Sequence, residues 1–201
     1  MTPEHEQLLS ALPDPLSLMD GLGPVHYGVG VPNDTGFLGL LLVTHPEWAT
    51  VIEFGTYWGL TSLWLGTLLR ESGRQLITLD YADGRAPAVK GAWLPNMEFF
   101  TQDLLVSPLN QAVSSIIQTR APCLVIMDNG NKPVEVNRYA PFIQPGSAFC
   151  VHDWGKASKG LNHDGEVCLD DIQETLTTCN YQPVLHAEAE EMRSHFRCWA
   201  R

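Results

Sequence analysis

The stretch Val51-Ile-Glu-Phe-Gly-Thr-Tyr-Trp-Gly59 constrains this chain more than any other. Val51 to Phe54 has the apolar, β-favouring character of a short buried strand. Gly55 and Gly59 then provide a tight turn, since glycine lacks the Cβ that keeps a backbone away from a ligand. Thr61 to Arg70 follows with Leu60, Leu63, Trp64 and Leu68 at i, i+3, i+4 and i+8, which is the apolar face of a helix. Gln75 to Asp80 is a second strand, and it ends on a carboxylate about 20 residues past the turn. Strand, glycine turn, helix, strand and acid together form the nucleotide cradle of open α/β sheets. The acid at the end of the second strand is placed to accept hydrogen bonds from ribose hydroxyls.

The rest of the chain continues the alternation. Asn33-Asp34-Thr35 offers N-cap chemistry for a helix over Gly36 to Val43, closed by His45-Pro46. Met97 to Thr101 is a short strand, and Ser107-Pro108 starts a helix that runs to about Gln118. Cys123 to Met127 is a continuous apolar run, a central strand buried on both faces. A helix over Pro133 to Ile143 leads to a fifth strand, Ala148 to Val151. A helix over Val167 to Thr177 follows. Tyr181 to His186 and Ser194 to Ala200 are final strands joined by the acidic segment Glu188 to Glu191, and their short connection predicts antiparallel pairing at one edge. This is an α/β chain with a mostly parallel sheet and helices on both faces.

Its 201 residues fit one domain. Hydrophobic residues make up 44% and charged residues 17%, a globular composition. A formal charge of −11 disfavours a nucleic-acid partner, which needs a basic surface. The five cysteines are odd in number and show no C-x-x-C spacing, so neither a disulfide framework nor a zinc knuckle is expected. That usage suits a reducing, cytoplasmic setting. Met1-Thr-Pro-Glu-His-Glu6 lacks the basic and apolar regions of a signal peptide. The longest apolar run, Phe37 to Val43, is too short to span a membrane.

In such a sheet, ligands bind beyond the carboxyl ends of the strands. The residues there are Glu53 and Gly55, Asp80, Asp103, Asp128, and His152-Asp153. A single Asp at a strand end is ordinarily a turn residue. Five such ends pointing to one side imply a site.

At these residues the chain resembles the class I S-adenosylmethionine-dependent methyltransferases. It is most similar to the small-molecule O-methyltransferases grouped with cephalosporin hydroxylases and macrolide-sugar methyltransferases. Three segments carry the resemblance: Glu53 to Gly59, Ile126-Met-Asp-Asn-Gly-Asn-Lys132, and Tyr139 to Asp153. It covers roughly Val31 to Ala200 and implies a three-layer Rossmann-like methyltransferase fold, with an antiparallel C-terminal edge hairpin.

The resemblance also implies roles. Glu53 and the turn Gly55, Thr56, Tyr57 and Gly59 would hold the methionine end of the cofactor. Asp80 would bind the ribose, and Gln102 and Asp103 would lie near the adenine. Asp128 and Asp153 match carboxylates that bind a divalent ion in metal-dependent relatives, and His152 stands where a third, acidic ligand is common. A magnesium ion there would lower the pKa of a substrate hydroxyl. A His ligand would favour manganese, iron or zinc instead, or His152 is the general base. Lys132 is either another base or a solvated residue at a helix start. Trp58 and Trp154 flank the cleft, where they either stack on a ring or pack in the core.

The expected activity is methylation of a small hydroxylated molecule, a sugar or natural product, with a divalent cation assisting. Residues 1–32 form an N-terminal, substrate-side extension, and its apolar helix is compatible with a homo-oligomer. Two alternatives stay open. One is a methyltransferase fold that binds the cofactor without catalysis. The other is an NAD(P)-dependent oxidoreductase, disfavoured because Tyr57 stands where the dinucleotide fingerprint has its second glycine.

Overall fold

The computed structural model describes residues 2–10, 32–106, 109–155 and 165–201. In chain order the elements are α1 (Pro3–Ser10), α2 (Pro32–Thr44), β1 (Thr50–Phe54), α3 (Leu60–Glu71), β2 (Gln75–Asp80), α4 (Pro87–Gly91) and β3 (Met97–Thr101). Then come α5 (Gln111–Thr119), β4 (Cys123–Met127), α6 (Lys132–Tyr139) with a 3-10 turn over Ala140–Phe142, and β5 (Ala148–Val151). The last are α7 (Leu169–Thr178), β6 (Gln182–Val184), α8 (His186–Glu191) and β7 (Arg197–Ala200). Among the described residues, no helix is long and apolar enough to cross a membrane.

The sheet order is β3-β2-β1-β4-β5-β7-β6. The first five strands are parallel, and β7 runs antiparallel to both β5 and β6. The expected C-terminal hairpin is therefore present. Its connection is the helix α8, which lets β7 enter beside β5 and leaves β6 at the edge.

Alternation along each strand explains the continuous apolar runs. Ile52 and Phe54 of β1, Val125 and Met127 of β4, and Phe149 and Val151 of β5 face one core, closed by Val113 and Ile117 of α5, Val136 and Tyr139 of α6, and Ile172 of α7. Val51, Leu124, Ile126, Ala148 and Cys150 face the other, closed by Phe37, Leu38, Leu41 and Leu42 of α2 and by Leu63, Trp64 and Leu65 of α3. Strands covered on both faces have no polar side to display. All five cysteines are buried and free.

Two helix starts differ from expectation. Helix α2 begins at Pro32, so Asn33, Asp34 and Thr35 lie inside it. Helix α5 is capped by Asn110, whose side chain accepts from the Ala112 and Val113 N–H groups. The expected start, Ser107-Pro108, lies outside the described residues.

Candidate active site

Parallel register brings the strand ends to one level. Phe54 pairs with Met127 and with Leu79. The ladder runs one residue further on each side: the Gly55 N–H donates to the Leu79 carbonyl at 2.8 Å, and the Asp128 N–H to the Phe54 carbonyl at 3.1 Å. Gly55 sits at φ 91°, and a Cβ there would stand 2.2 Å from the Asp128 carbonyl oxygen. Only glycine allows β1 and β4 to end this close together.

Beyond these ends lies a cavity of about 490 Å³, within the usual range for a small-molecule site. Glu53, Gly55, Thr56, Tyr57, Asp80 and Asp128 line it, together with Thr61, Tyr81, Asn129 and Gly130. Asp80 is buried at the end of β2. Its Oδ2 accepts from the Tyr57 N–H at 2.8 Å and its Oδ1 from the Tyr81 N–H at 2.7 Å. These bonds fix the carboxylate plane and leave each oxygen a further lone pair. Thr56 and Thr78 join their hydroxyls at 2.6 Å beneath the turn. Tyr57, at φ 47°, is exposed and stacks on Trp58 with 5.0 Å between ring centroids.

Glu53 points to the α3 side of the sheet, where Ser62 donates a short hydrogen bond to it. Burial pushes its carboxyl up to about 7, against the hydrogen bonds of Ser62 and Thr78 and with the help of the nearby Asp128 and Asp80 charges. A cation entering the cavity would draw that proton off.

Gln102 and Asp103 lie past β3, outside the cavity lining. Gln102 Oε1 accepts from Asn110 Nδ2, and Asp103 Oδ1 accepts from the Leu105 N–H. Both serve the turn that enters α5. Trp154 packs on Trp199 at 5.1 Å and belongs to the core.

Asp128, His152 and Asp153 do come together, with possible ligand atoms within 4.8 Å of one another. His152 Nδ1 lies 3.2 Å from Asp128 Oδ1 and 3.1 Å from Asp153 Oδ1, and Nε2 lies 3.4 Å from Asp34 Oδ2. Burial works against a charged imidazole here, but the surrounding carboxylates outweigh it and raise His152 well above its ordinary range. Lys132 is not a solvated helix start. It is 5% exposed, and its Nζ lies 2.8 Å from Asp153 Oδ2, 2.8 Å from Glu166 Oε2 and 3.4 Å from Asp128 Oδ1. It also donates to the Asn129 carbonyl at 3.2 Å. Burial opposes its charge too, yet the carboxylates of Asp128, Asp153 and Glu166 raise it further. The two Asp carboxylates are thus already engaged by the Lys132 ammonium and the His152 ring. This arrangement does not fit a divalent ion, which needs those same oxygens at about 2.0–2.6 Å.

Three members of the cluster escaped the sequence. Asp34, read as a cap, is 1% exposed. Its Oδ1 accepts from Ser194 Oγ at 2.8 Å and the His195 N–H at 2.7 Å, and its Oδ2 faces His195 Nδ1 at 3.3 Å. Glu166 is placed by a one-residue bridge of Val167 to Trp154. His195 sits in the turn before β7. Asp34, His152 and His195 form a second group of close potential ligand atoms. Nothing in the local sequence of these residues announces partners that lie 34 positions away for Glu166 and 161 for Asp34 and His195.

No protein-family model matches the sequence, and no curated protein matches it. Solved structures do match. MycE, a methyltransferase of mycinamycin biosynthesis solved with Mg, SAH and mycinamycin VI, is 14% identical over 95% of this chain, with a TM-score of 0.61. The chain spans about half of MycE, 55% of its length. CalS11, a TDP-rhamnose 3'-O-methyltransferase of calicheamicin biosynthesis, is 14% identical over 100% of this chain and 95% of its own, with a TM-score of 0.56. An O-methyltransferase from Bacillus cereus in complex with SAH is 14% identical over 100% and 92%, with a TM-score of 0.54. Strand order, antiparallel β7 and these matches agree: the chain has the Rossmann-like fold of the class I S-adenosylmethionine-dependent methyltransferases.

Proposed function

We propose that this protein is an S-adenosylmethionine-dependent O-methyltransferase of a small hydroxylated molecule, such as a sugar or a natural product. The observation that carries the proposal is the cavity at the ends of β1, β2 and β4, in which Gly55, the fixed Asp80 carboxylate and the buried Glu53 carboxyl converge. Asp80 offers lone pairs to two ribose hydroxyls. Glu53 offers a carboxylate to the ammonium of the methionine end, and the Gly55–Gly59 turn lets that end approach the backbone. The cofactor supplies a methyl group on a positively charged sulfur.

Methyl transfer is an in-line displacement, so positioning of the acceptor oxygen matters most. The acceptor must also lose a proton. Of the three candidates His152, Lys132 and Asp128, only Asp128 lines the cavity, and its side chain is 38% exposed. Lys132 is held as an ammonium with its protons directed at oxygens, so it does not serve as a base in this arrangement. Asp128, held in place by Lys132 and His152, would orient a substrate hydroxyl and accept its proton as the oxygen takes the methyl group from the sulfur. No step needs a divalent ion.

Isothermal titration with S-adenosylhomocysteine tests the proposal, followed by transfer of labelled methyl from S-adenosylmethionine to a panel of sugars and phenols. Absence of binding at millimolar ligand would sink it. Binding without transfer to any hydroxyl would favour a non-catalytic, cofactor-binding role. The paired state of Asp128 and Asp153 also supports that second reading. Preferential binding of NADH would instead point to an oxidoreductase.

A further inference from the structure

Asp128, Asp153 and Glu166 surround one buried cation. Three carboxylate oxygens and the Asn129 carbonyl converge on one point. That point is occupied by Lys132 Nζ. We propose that the Lys132 ammonium is the resident cation of this site, that the protein needs no divalent ion, and that it selects substrates presenting a single hydroxyl over those that must chelate a metal. The proposal deepens the methyltransferase reading and rests on it for the substrate part only.

Geometry supports the substitution from three sides. First, an ammonium carries three donors, and four oxygens surround this one. Two of them, on Asp153 and Glu166, are at 2.8 Å, the distance of a charge-assisted hydrogen bond. Second, each wall of the site is built for this cation. Lys132 is the first residue of α6, and its helix start is fixed by Asn131, which accepts from the Val134 N–H, and by Glu135, which accepts from the Asn131 N–H at 2.9 Å. Asp153 holds a left-handed backbone at φ 56°. Glu166 is delivered by hydrogen bonds between Gly155 N–H and the Val167 carbonyl and between Val167 N–H and the Asp153 carbonyl. Third, His152 Nδ1 faces the other Asp153 oxygen, Oδ1, and shares Asp128 Oδ1 with Lys132. A divalent ion entering here would have to expel a buried lysine.

The substrate consequence follows from coordination number. A metal with open positions can take two substrate oxygens at once, and so favours vicinal diols or catechols. Lys132 has no N–H left to offer and is nearly inaccessible. The substrate therefore meets one oriented group, Asp128, and one hydroxyl suffices.

The test uses the full chain freed of metal by chelator, with and without saturating S-adenosylhomocysteine. Manganese is titrated in, and free ion is followed by its paramagnetic resonance signal. For the wild-type chain, no binding tighter than about 1 mM is expected, in the range of the weakest protein sites. Lys132→Ala vacates the oxygen cage and is expected to gain manganese binding by at least about tenfold. Wild-type binding tighter than about 100 µM that disappears in Asp153→Asn overturns the proposal. So does a folded Lys132→Ala chain, verified by circular dichroism, that gains none. If Lys132→Ala does not fold, the wild-type titration decides alone. Loss of S-adenosylhomocysteine binding in the parallel titration would remove the methyltransferase reading and leave the metal result standing. If transfer is observed, preserved rates in excess EDTA and comparable rates for mono-hydroxyl and vicinal-diol acceptors support the substrate part. A strict diol requirement overturns it.

Discussion

Asp34 Oδ1 accepts the backbone N–H of His195 at 2.7 Å, across 161 positions of sequence. The same carboxylate takes Ser194 Oγ and faces the rings of His152 and His195. One buried side chain in the first turn of α2 therefore ties that helix to the turn before β7 and to the residue after β5.

Asp34→Asn should cost about 2–4 kcal/mol at neutral pH, because a buried, charge-assisted network loses its charge and gains a donor facing donors. Burial alone would raise Asp34, but His152, Ser194 and His195 hold it below its ordinary value. A depressed acid contributes stability above its unfolded pKa and loses it as pH falls through the folded one. The difference between wild type and variant should therefore be full at pH 7 and shrink below about pH 4. Chemical denaturation at several pH values measures this. A pH-independent difference would mean that packing, not charge, is what Asp34 supplies.

Glu53 predicts the opposite pH slope. Its folded pKa of about 7 lies above the unfolded 4.5. A raised acid contributes stability below its unfolded pKa and loses it as pH rises through the folded one. The loss amounts to about 3 kcal/mol between those values. Glu53→Gln keeps an acceptor for Ser62 and removes the ionisation, so it should melt higher than wild type at pH 8 and close to it at pH 4. A cationic ligand reverses the balance by favouring the carboxylate. Affinity for S-adenosylmethionine should rise with pH up to about 7 and then level off, with proton release below that point. Titration in buffers of different ionisation enthalpy detects the released proton, and Glu53→Gln should abolish it along with much of the affinity.

The cradle was legible in the sequence because its parts are contiguous. Strand, glycine turn, helix and terminal acid fall within Val51 to Asp80, and local periodicity is enough to order them. Cys123 to Met127 and Ala148 to Val151 were equally plain, since strands buried on both faces have no polar alternation to confuse. The cage around Lys132 was not legible. Its carboxylates come from positions 128, 153 and 166, and the convergence is a product of sheet register and of the Trp154–Val167 bridge. Lys132 at a helix start resembles any solvated lysine until Glu166 is placed beside it. Asp34 misled for a related reason. An Asp next to Asn and Thr before an apolar run has cap chemistry, and only the tertiary partner Ser194 shows that the helix starts earlier. Short segments fix helices and strands; polar clusters built from five segments need the fold first.

Gly55→Ala should separate cradle from core. The added methyl would meet the Asp128 carbonyl at 2.2 Å, and backbone cannot yield as a side-chain tip can. The residue would also be held at φ 91°, a conformation that costs an L-residue roughly 1–2 kcal/mol. Relieving both shifts the turn away from β4 and fills the cavity where the ligand must approach. The expected result is a folded but less stable protein whose S-adenosylhomocysteine affinity falls by at least about a hundredfold, as for a misplaced positioning group. Unchanged affinity in calorimetry would place the ligand elsewhere.

Lys132→Met keeps the length of the side chain and removes its charge, leaving Asp128, Asp153 and Glu166 facing one another. Removing one partner of a buried ion pair costs about 3–5 kcal/mol, mostly through the charges left unpaired. The pH dependence identifies the cause. In the wild type Lys132 is raised above its ordinary value, so its contribution is present throughout the neutral range and lost only at strongly alkaline pH. Asp153, despite burial, is depressed by His152 and Lys132, so its contribution disappears only in strong acid. In the variant the carboxylates regain protons at higher pH, so the stability deficit should narrow as pH falls from 7 toward 4. Adding Glu166→Gln removes one of the facing charges and should recover part of the loss at pH 7. Urea unfolding of the single and double variants across that range checks both statements. A deficit that neither acid nor Glu166→Gln reduces would mean that Lys132 stabilises the fold through the packing of its aliphatic stem.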